Sequence, residues 1–226
     1  MPTSNPLRPQ AQPRAGLVLS WLLDLVFPPR CFICGRVDAT WCAGCQQTLA
    51  QLPLRPQSRP TTPPLHGLLA TAPHSGLLQT YVQQLKYEQA TQLAVPLGRR
   101  LAHCIHRADV TFDTVIAVPL HVHRERERGY NQSKLLAQVV AKLLGKTDSS
   151  AQVVRSQDTR PQVGLNRAQR QVNVDGAFRA STSLQGQRVV LIDDVYTTGA
   201  TLQACANALA AVGVASVYGL TVTAAA

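Results

Sequence analysis

Apolar positions along the chain change period several times, and each change predicts a different element. Leu17 to Phe27 has the spacing of a short amphipathic helix, behind a tail, residues 1 to 15, whose Pro, Gln and Arg content reads as disordered. Five prolines between Leu52 and Pro64 predict a semi-rigid linker. Leu65 to Ala72 reads as a strand, and Ser75 as the cap of a helix through Leu77, Leu78, Tyr81, Val82 and Leu85. Leu93 to Ile105 repeats the helical spacing. Val115 to Val118 is a continuous apolar run of the kind buried in a parallel sheet, stopped by Pro119. Leu135 to Leu144 is amphipathic and closed by Gly145. A weak strand at Val153-Val154, a strong one at Val189 to Ile192, a helix from Leu202 to Val212 ended by Gly213, and a strand from Val214 to Val222 complete the series. Strands alternating with helices predict an open, mostly parallel α/β sheet, and no internal repeat is visible. The expected division is a tail at 1–15, a helix with a cysteine module at 16–51, a linker at 52–64 and an α/β domain at 65–226.

Composition supports a folded protein: of 226 residues, 45% are hydrophobic and 15% charged, too apolar a balance for a disordered chain. No apolar run reaches the roughly 18 residues of a membrane span. Arg8 and Arg14 ahead of an apolar stretch imitate a secretory signal, but Asp24 interrupts the stretch and no small-residue cleavage site follows. The net charge of +10 points to a phosphate-rich partner, either nucleic acid or a small phosphorylated ligand. Ten of the basic residues fall between positions 121 and 170, against four acids, so the excess is concentrated there.

Four of six cysteines form two knuckles, Cys31-x-x-Cys34 and Cys42-x-x-Cys45. Two intervening residues let both sulfurs of a knuckle face one ion, and two knuckles complete a tetrahedral tetrathiolate. Structural Zn2+ is the expected occupant, with an iron–sulfur centre or a redox dithiol as alternatives. A metal site rather than a disulfide framework implies a reducing, cytoplasmic location. Cys104 and Cys205 lie alone in helical patterns and read as small core residues.

In VVLIDDVYTTGAT, residues 189 to 201, four apolar residues lead into Asp193 and Asp194, at the expected carboxyl end of a strand where open α/β sheets bind ligands. Two ionised carboxylates suit the hydroxyls of a vicinal diol, or water on a divalent cation. Thr197, Thr198, Gly199, Ala200 and Thr201 open the next helix, where free backbone N–H groups, hydroxyls and the helix end form a phosphate cradle. Diol acceptors beside such a cradle describe ribose 5-phosphate.

These thirteen residues resemble the 5-phosphoribosyl 1-pyrophosphate (PRPP) motif of type I phosphoribosyltransferases. The segments Leu22-Leu23-Asp24, Phe27 to Cys31, Leu85-Lys86-Tyr87, Val118-Pro119-Leu120 and Arg128-Gly129-Tyr130-Asn131-Gln132, with Arg160, Gln162, Asn173, Gly176 and Phe178, are similar to the ComF-like family linked to bacterial DNA uptake. The pattern departs at Glu88-Gln89, where relatives carry a glycine nearby. The resemblance spans Leu17 to Val222 and implies a phosphoribosyltransferase fold behind a zinc module, with a role in natural transformation. It puts Asp193 and Asp194 on the ribose hydroxyls and Thr197 to Thr201 on the 5-phosphate. Pro119 and Leu120 would belong to a pyrophosphate loop, with Lys86 beside the ligand. Arg128, and Arg160 from a basic loop at 155–170, would neutralise the leaving group with Mg2+ bridging its oxygens.

Two functions fit these expectations. One is an enzyme that transfers phosphoribosyl from PRPP to an unidentified acceptor; the other is a non-catalytic PRPP- or nucleotide-sensing module that binds single-stranded DNA or joins DNA-uptake or recombination proteins.

Overall fold

A computed structural model describes residues 28–37, 39–87, 90–156 and 176–225. The expected tail, the helix at 17–27, and Arg160 with most of its basic loop lie outside the described residues. The chain divides into two compact units, Met1–Gln46 and Gln47–Ala226.

The first unit carries the four clustered cysteines. A bridge between Arg30 and Val37 pinches the first knuckle, and the amides of Cys31 and Gly35 bond the carbonyls of Arg36 and Cys31, both at 2.8 Å. Phe32 and Trp41 stack with ring centroids 6.1 Å apart. Helix α1 (Ala43–Gln51) begins at the second knuckle.

In the second unit a six-stranded sheet has the order β1-β2-β8-β7-β3-β4. Strand β1 (Gln57–Arg59) pairs antiparallel with β2 (Leu65–Ala70), and every other neighbouring pair is parallel. The remaining members are β3 (Thr114–Ala117), β4 (Thr147–Asp148), β7 (Arg188–Tyr196) and β8 (Ser216–Ala224). A separate antiparallel pair joins β5 (Val153–Arg155) and β6 (Phe178–Ala180). The mostly parallel α/β sheet expected from the sequence is therefore present.

The helices are α2 (Gly76–Tyr87), α3 (Ala94–Arg107), α4 (Val122–Arg128), α5 (Gln132–Leu144) and α6 (Ala200–Ala211). Leu202, Cys205 and Leu209 line one side of α6 and pack on Leu68, Leu191 and Val217 of the sheet, so Cys205 is the core residue its pattern predicted. Helices α3 and α5 approach so closely that a Cβ on Gly98 would lie 2.6 Å from Val139 Cβ.

Two stretches differ from the sequence expectation, and a third forms an element where none was expected. The proline-rich segment at 52–64 contains β1, and Arg100 of α3 donates to the carbonyls of Leu52 at 2.6 Å and Pro53 at 3.0 Å. Prolines 56 and 60 flank the strand, which sits at the sheet edge where a missing N–H costs no ladder bond. The alternating-charge run after His121 is helical: His121 Nδ1 accepts the His123 amide at its start, and Gly129 closes it at φ +80°. Strand β7 does not end at Ile192 but continues through the acids to Tyr196, because β8 stays paired with it as far as Ala224.

That extension creates the site. Strand β3 ends with Ala117 opposite Ile192, so Asp193 and Asp194 stand beyond it on one side only. The chain leaves β3 through α5 toward β4 but leaves β7 through α6 toward β8, in the opposite direction. The crevice at the carboxyl ends of β3 and β7 is thus the topological switch point, where open α/β sheets bind ligands.

Candidate functional site

Neighbouring strand residues face opposite sides of the sheet, so the two carboxylates are presented differently. Asp194 is 3% exposed, and its Oδ1 lies 3.0 Å from Nζ of Lys86 in the last turn of α2. Its Oδ2 is buried with no hydrogen-bond partner among the described residues. An unsatisfied carboxylate oxygen in a buried position is costly, and it marks where a hydroxyl or metal-bound water would be accepted. Asp193 Oδ1 accepts from Ser133 Oγ at 2.8 Å and from the Asp194 amide at 2.9 Å. Burial, and then the adjacent Asp194 charge, push the Asp193 carboxyl well above the usual carboxylate range; Lys86 and the Ser133 hydroxyl oppose the shift. His74, whose Nδ1 is 2.7 Å from Thr223 Oγ1, is held below its ordinary value by burial first and the Lys86 charge second.

Asp193 and the loop behind it, Val195 to Leu202, line a shallow hollow of about 30 Å³. Gly199 turns this loop into α6 at φ +77°, and a Cβ there would fall 2.6 Å from the Tyr196 ring, so glycine is required for both reasons. No side chain caps the helix through Gly199, which leaves first-turn N–H groups beside the threonines. The Thr198 hydroxyl accepts only a long bond, 3.4 Å, from the Ala200 amide.

Across the crevice, Asn131 Nδ2 holds the Val118 carbonyl at 3.1 Å, and Pro119 and Leu120 line a 290 Å³ cavity with Asn131, Lys134 and Ser150. Arg128 bonds Gln132 and lies over the Tyr87 ring, 5.3 Å from its centroid. A 380 Å³ hollow is bounded by Lys86, Tyr87, Arg124, Glu127 and Arg128.

The fold therefore brings Lys86 to Asp194 and lets Arg128 share a hollow with Lys86, whereas Pro119 and Leu120 open onto a different cavity from Asp193. Ser133 and His74 were not expected. Ser133 directly follows the Arg128 to Gln132 motif, the one signal that could have drawn attention to it; His74 offered none.

In the first unit, the sulfurs of Cys31, Cys34, Cys42 and Cys45 all lie within 4.8 Å of one another, with Cys34 and Cys42 3.7 Å apart and every cysteine free. A tetrahedron of ~2.3 Å Zn–S bonds has sulfur–sulfur edges of about 3.8 Å, so the cluster fits the ion. Burial and then the neighbouring sulfurs push the Cys45 thiol up, a conflict that a shared cation removes.

Comparison with known proteins agrees with both units. Residues 22–57 match the double zinc ribbon domain and residues 130–225 the phosphoribosyl transferase domain. The DNA utilization protein YhgH of Shigella flexneri is 34% identical over 198 residues, covering 83% of this chain and 86% of that protein. Competence protein F of Haemophilus influenzae is 32% identical over 145 residues, covering 61% of this chain and 63% of the relative. Competence protein ComFC of Bacillus subtilis is 33% identical over 95 residues, 42% of this chain and 37% of that one. No helix among the described residues is long and apolar enough to cross a membrane. With a four-cysteine ribbon ahead of an acid pair at the switch point of a phosphoribosyltransferase-type sheet, and relatives matched over most of its length, the chain belongs to the ComF-like family.

Proposed function

We propose that the second unit binds PRPP and transfers its phosphoribosyl group to an acceptor, releasing pyrophosphate. The observation that carries this reading is the acid pair at the switch point: Asp193 and Asp194 extend past β3, with the buried Oδ2 of Asp194 lacking a donor, next to a glycine-turned helix start. Asp193 accepts one ribose hydroxyl and Asp194 the other, while Thr197, Thr198, Thr201 and the first-turn amides of α6 take the 5-phosphate. Lys86 pairs with Asp194 and opposes the upward shift that burial and the Asp194 charge impose on the Asp193 carboxyl. Displacement at the sugar carbon builds negative charge on pyrophosphate, which Arg128 stabilises from beside Lys86 and Arg160 from the basic loop. Mg2+ bound with PRPP would supply charge neutralisation between the phosphates.

A place in DNA uptake or utilization, in the cytoplasm, is supported by the names of the relatives, YhgH and the competence proteins, and by the excess of basic residues at 121–170. The zinc ribbon has a structural role, since four thiolates leave no position open for water or substrate.

The test is incubation with PRPP and Mg2+ across a panel of nucleobases, amines and oligonucleotides. The expected result is pyrophosphate release that depends on one acceptor class. PRPP binding without release for any acceptor favours a sensing module, and absence of PRPP binding contradicts the reading altogether.

A further inference from the structure

The five tyrosines occupy distinct settings. Tyr81 is fully buried, Tyr218 tilts against His66, Tyr196 packs beside Gly199, and the Tyr130 hydroxyl is tied to the Leu85 carbonyl at 2.5 Å. Tyr87 is 71% exposed, although a large aromatic surface in water stabilises nothing in the fold. The Arg128 guanidinium covers part of its ring at 5.3 Å. Arg124, one helical turn before Arg128, borders the same 380 Å³ hollow. That volume lies in the range of small-molecule sites, roughly 300–1,000 Å³.

The charges around the hollow favour an anion. Lys86 is committed to Asp194, and Glu127, the one acid on the wall, pairs with His123 at 3.4 Å. Two arginines therefore face the opening beside an exposed ring. An aromatic platform with cations along one side is the arrangement that stacks a base and holds its phosphate.

We propose that the hollow bounded by Tyr87, Arg124 and Arg128 binds a nucleotide, with its base stacked on Tyr87 and its phosphate on the two arginines. This site shares Lys86 and Arg128 with the proposed phosphoribosyl site, but its stacking platform, Tyr87, has no part in that site. The ligand is a free nucleotide or a nucleotide within single-stranded DNA, since both present the same base and phosphate.

Calorimetric titration of the full chain and of Tyr87→Ala and Tyr87→Phe with adenosine monophosphate, oligodeoxyadenylate and ribose 5-phosphate tests the proposal. Tyr87→Ala is expected to weaken binding of a base-bearing ligand about fivefold or more, the factor for ~1 kcal/mol of stacking. Tyr87→Phe retains the affinity, and ribose 5-phosphate, lacking a base, is unaffected by either change. An effect on adenosine monophosphate identifies the free nucleotide as sufficient; an effect confined to the oligonucleotide, with steep salt dependence, identifies the strand as the source. The proposal is overturned if Tyr87→Ala leaves both base-bearing affinities unchanged, if it weakens ribose 5-phosphate equally, or if the wild-type chain binds neither base-bearing ligand. Failure of ribose 5-phosphate to bind, with the stacking effect intact, counts against the phosphoribosyl site alone.

Discussion

The zinc ribbon and the acid site are built in opposite ways. All four ribbon ligands lie within 15 consecutive positions, and two tight knuckles close on one ion with little surrounding core. The acid site draws Lys86 from α2, Ser133 from α5 and Asp193 and Asp194 from β7, residues up to 108 positions apart that only the sheet brings together. A local motif states its chemistry in its spacing, whereas a site assembled over a long range states only fragments of it. The ribbon consequently depends on its metal for stability, and the acid site depends on strand register.

Removing the metal breaks the comparison most severely. Structural zinc binding is worth about 10 kcal/mol in small ribbon-like peptides, so a strong chelator, or Cys45→Ser, should lose the ribbon fold. The expected record is about one zinc per chain before treatment and none after, loss of the dispersed indole signal of Trp41, and retention of the α/β signals. A Trp41 signal unchanged without zinc would contradict the dependence.

Next in size is Gly199→Ala, which imposes a left-handed cost of roughly 1–2 kcal/mol together with contact on the Tyr196 ring. Thermal unfolding of the α/β unit should fall by several degrees, with weaker binding of ribose 5-phosphate; an unchanged melting temperature would show that the turn relaxes freely.

Lys86→Met gives a smaller effect that sharpens the long-range side of the comparison. Lys86 lowers the Asp193 pKa, so its loss raises that pKa further. Ribose 5-phosphate affinity, which needs ionised carboxylates, should rise with pH and reach its plateau at higher pH in Lys86→Met than in wild type or Lys86→Arg. The wild-type profile subtracts the titration of the ligand phosphate. Superimposable profiles would deny Lys86 a positioning role. Linkage gives the matching sign for stability: an acid raised on folding contributes most below its unfolded value and loses that contribution as pH rises through its folded one, so Lys86→Met should extend the decline to higher pH.

The same contrast explains what the sequence made legible. Cys-x-x-Cys spacing, the apolar run of β3 and the α6 stripe are each contained in one window, and they were readable from it. Strand β7 beyond Ile192 was not, because Asp193 and Tyr196 are held by pairing to β8 rather than by an apolar pattern. Helix α4 was hidden by alternating charges, and β1 by flanking prolines whose meaning depends on the edge position. The Lys86–Asp194 pair, across 108 positions, had no sequence signal beyond a resemblance at each end.

The most direct measurement is calorimetric titration of PRPP with Mg2+ into wild-type protein and into the double variant Asp193→Asn, Asp194→Asn. A saturable heat with wild type and none with the double variant, whose circular dichroism and zinc content are unchanged, is the predicted outcome. Equal PRPP affinity in the two proteins would contradict the assignment of the acid pair to the phosphoribosyl group.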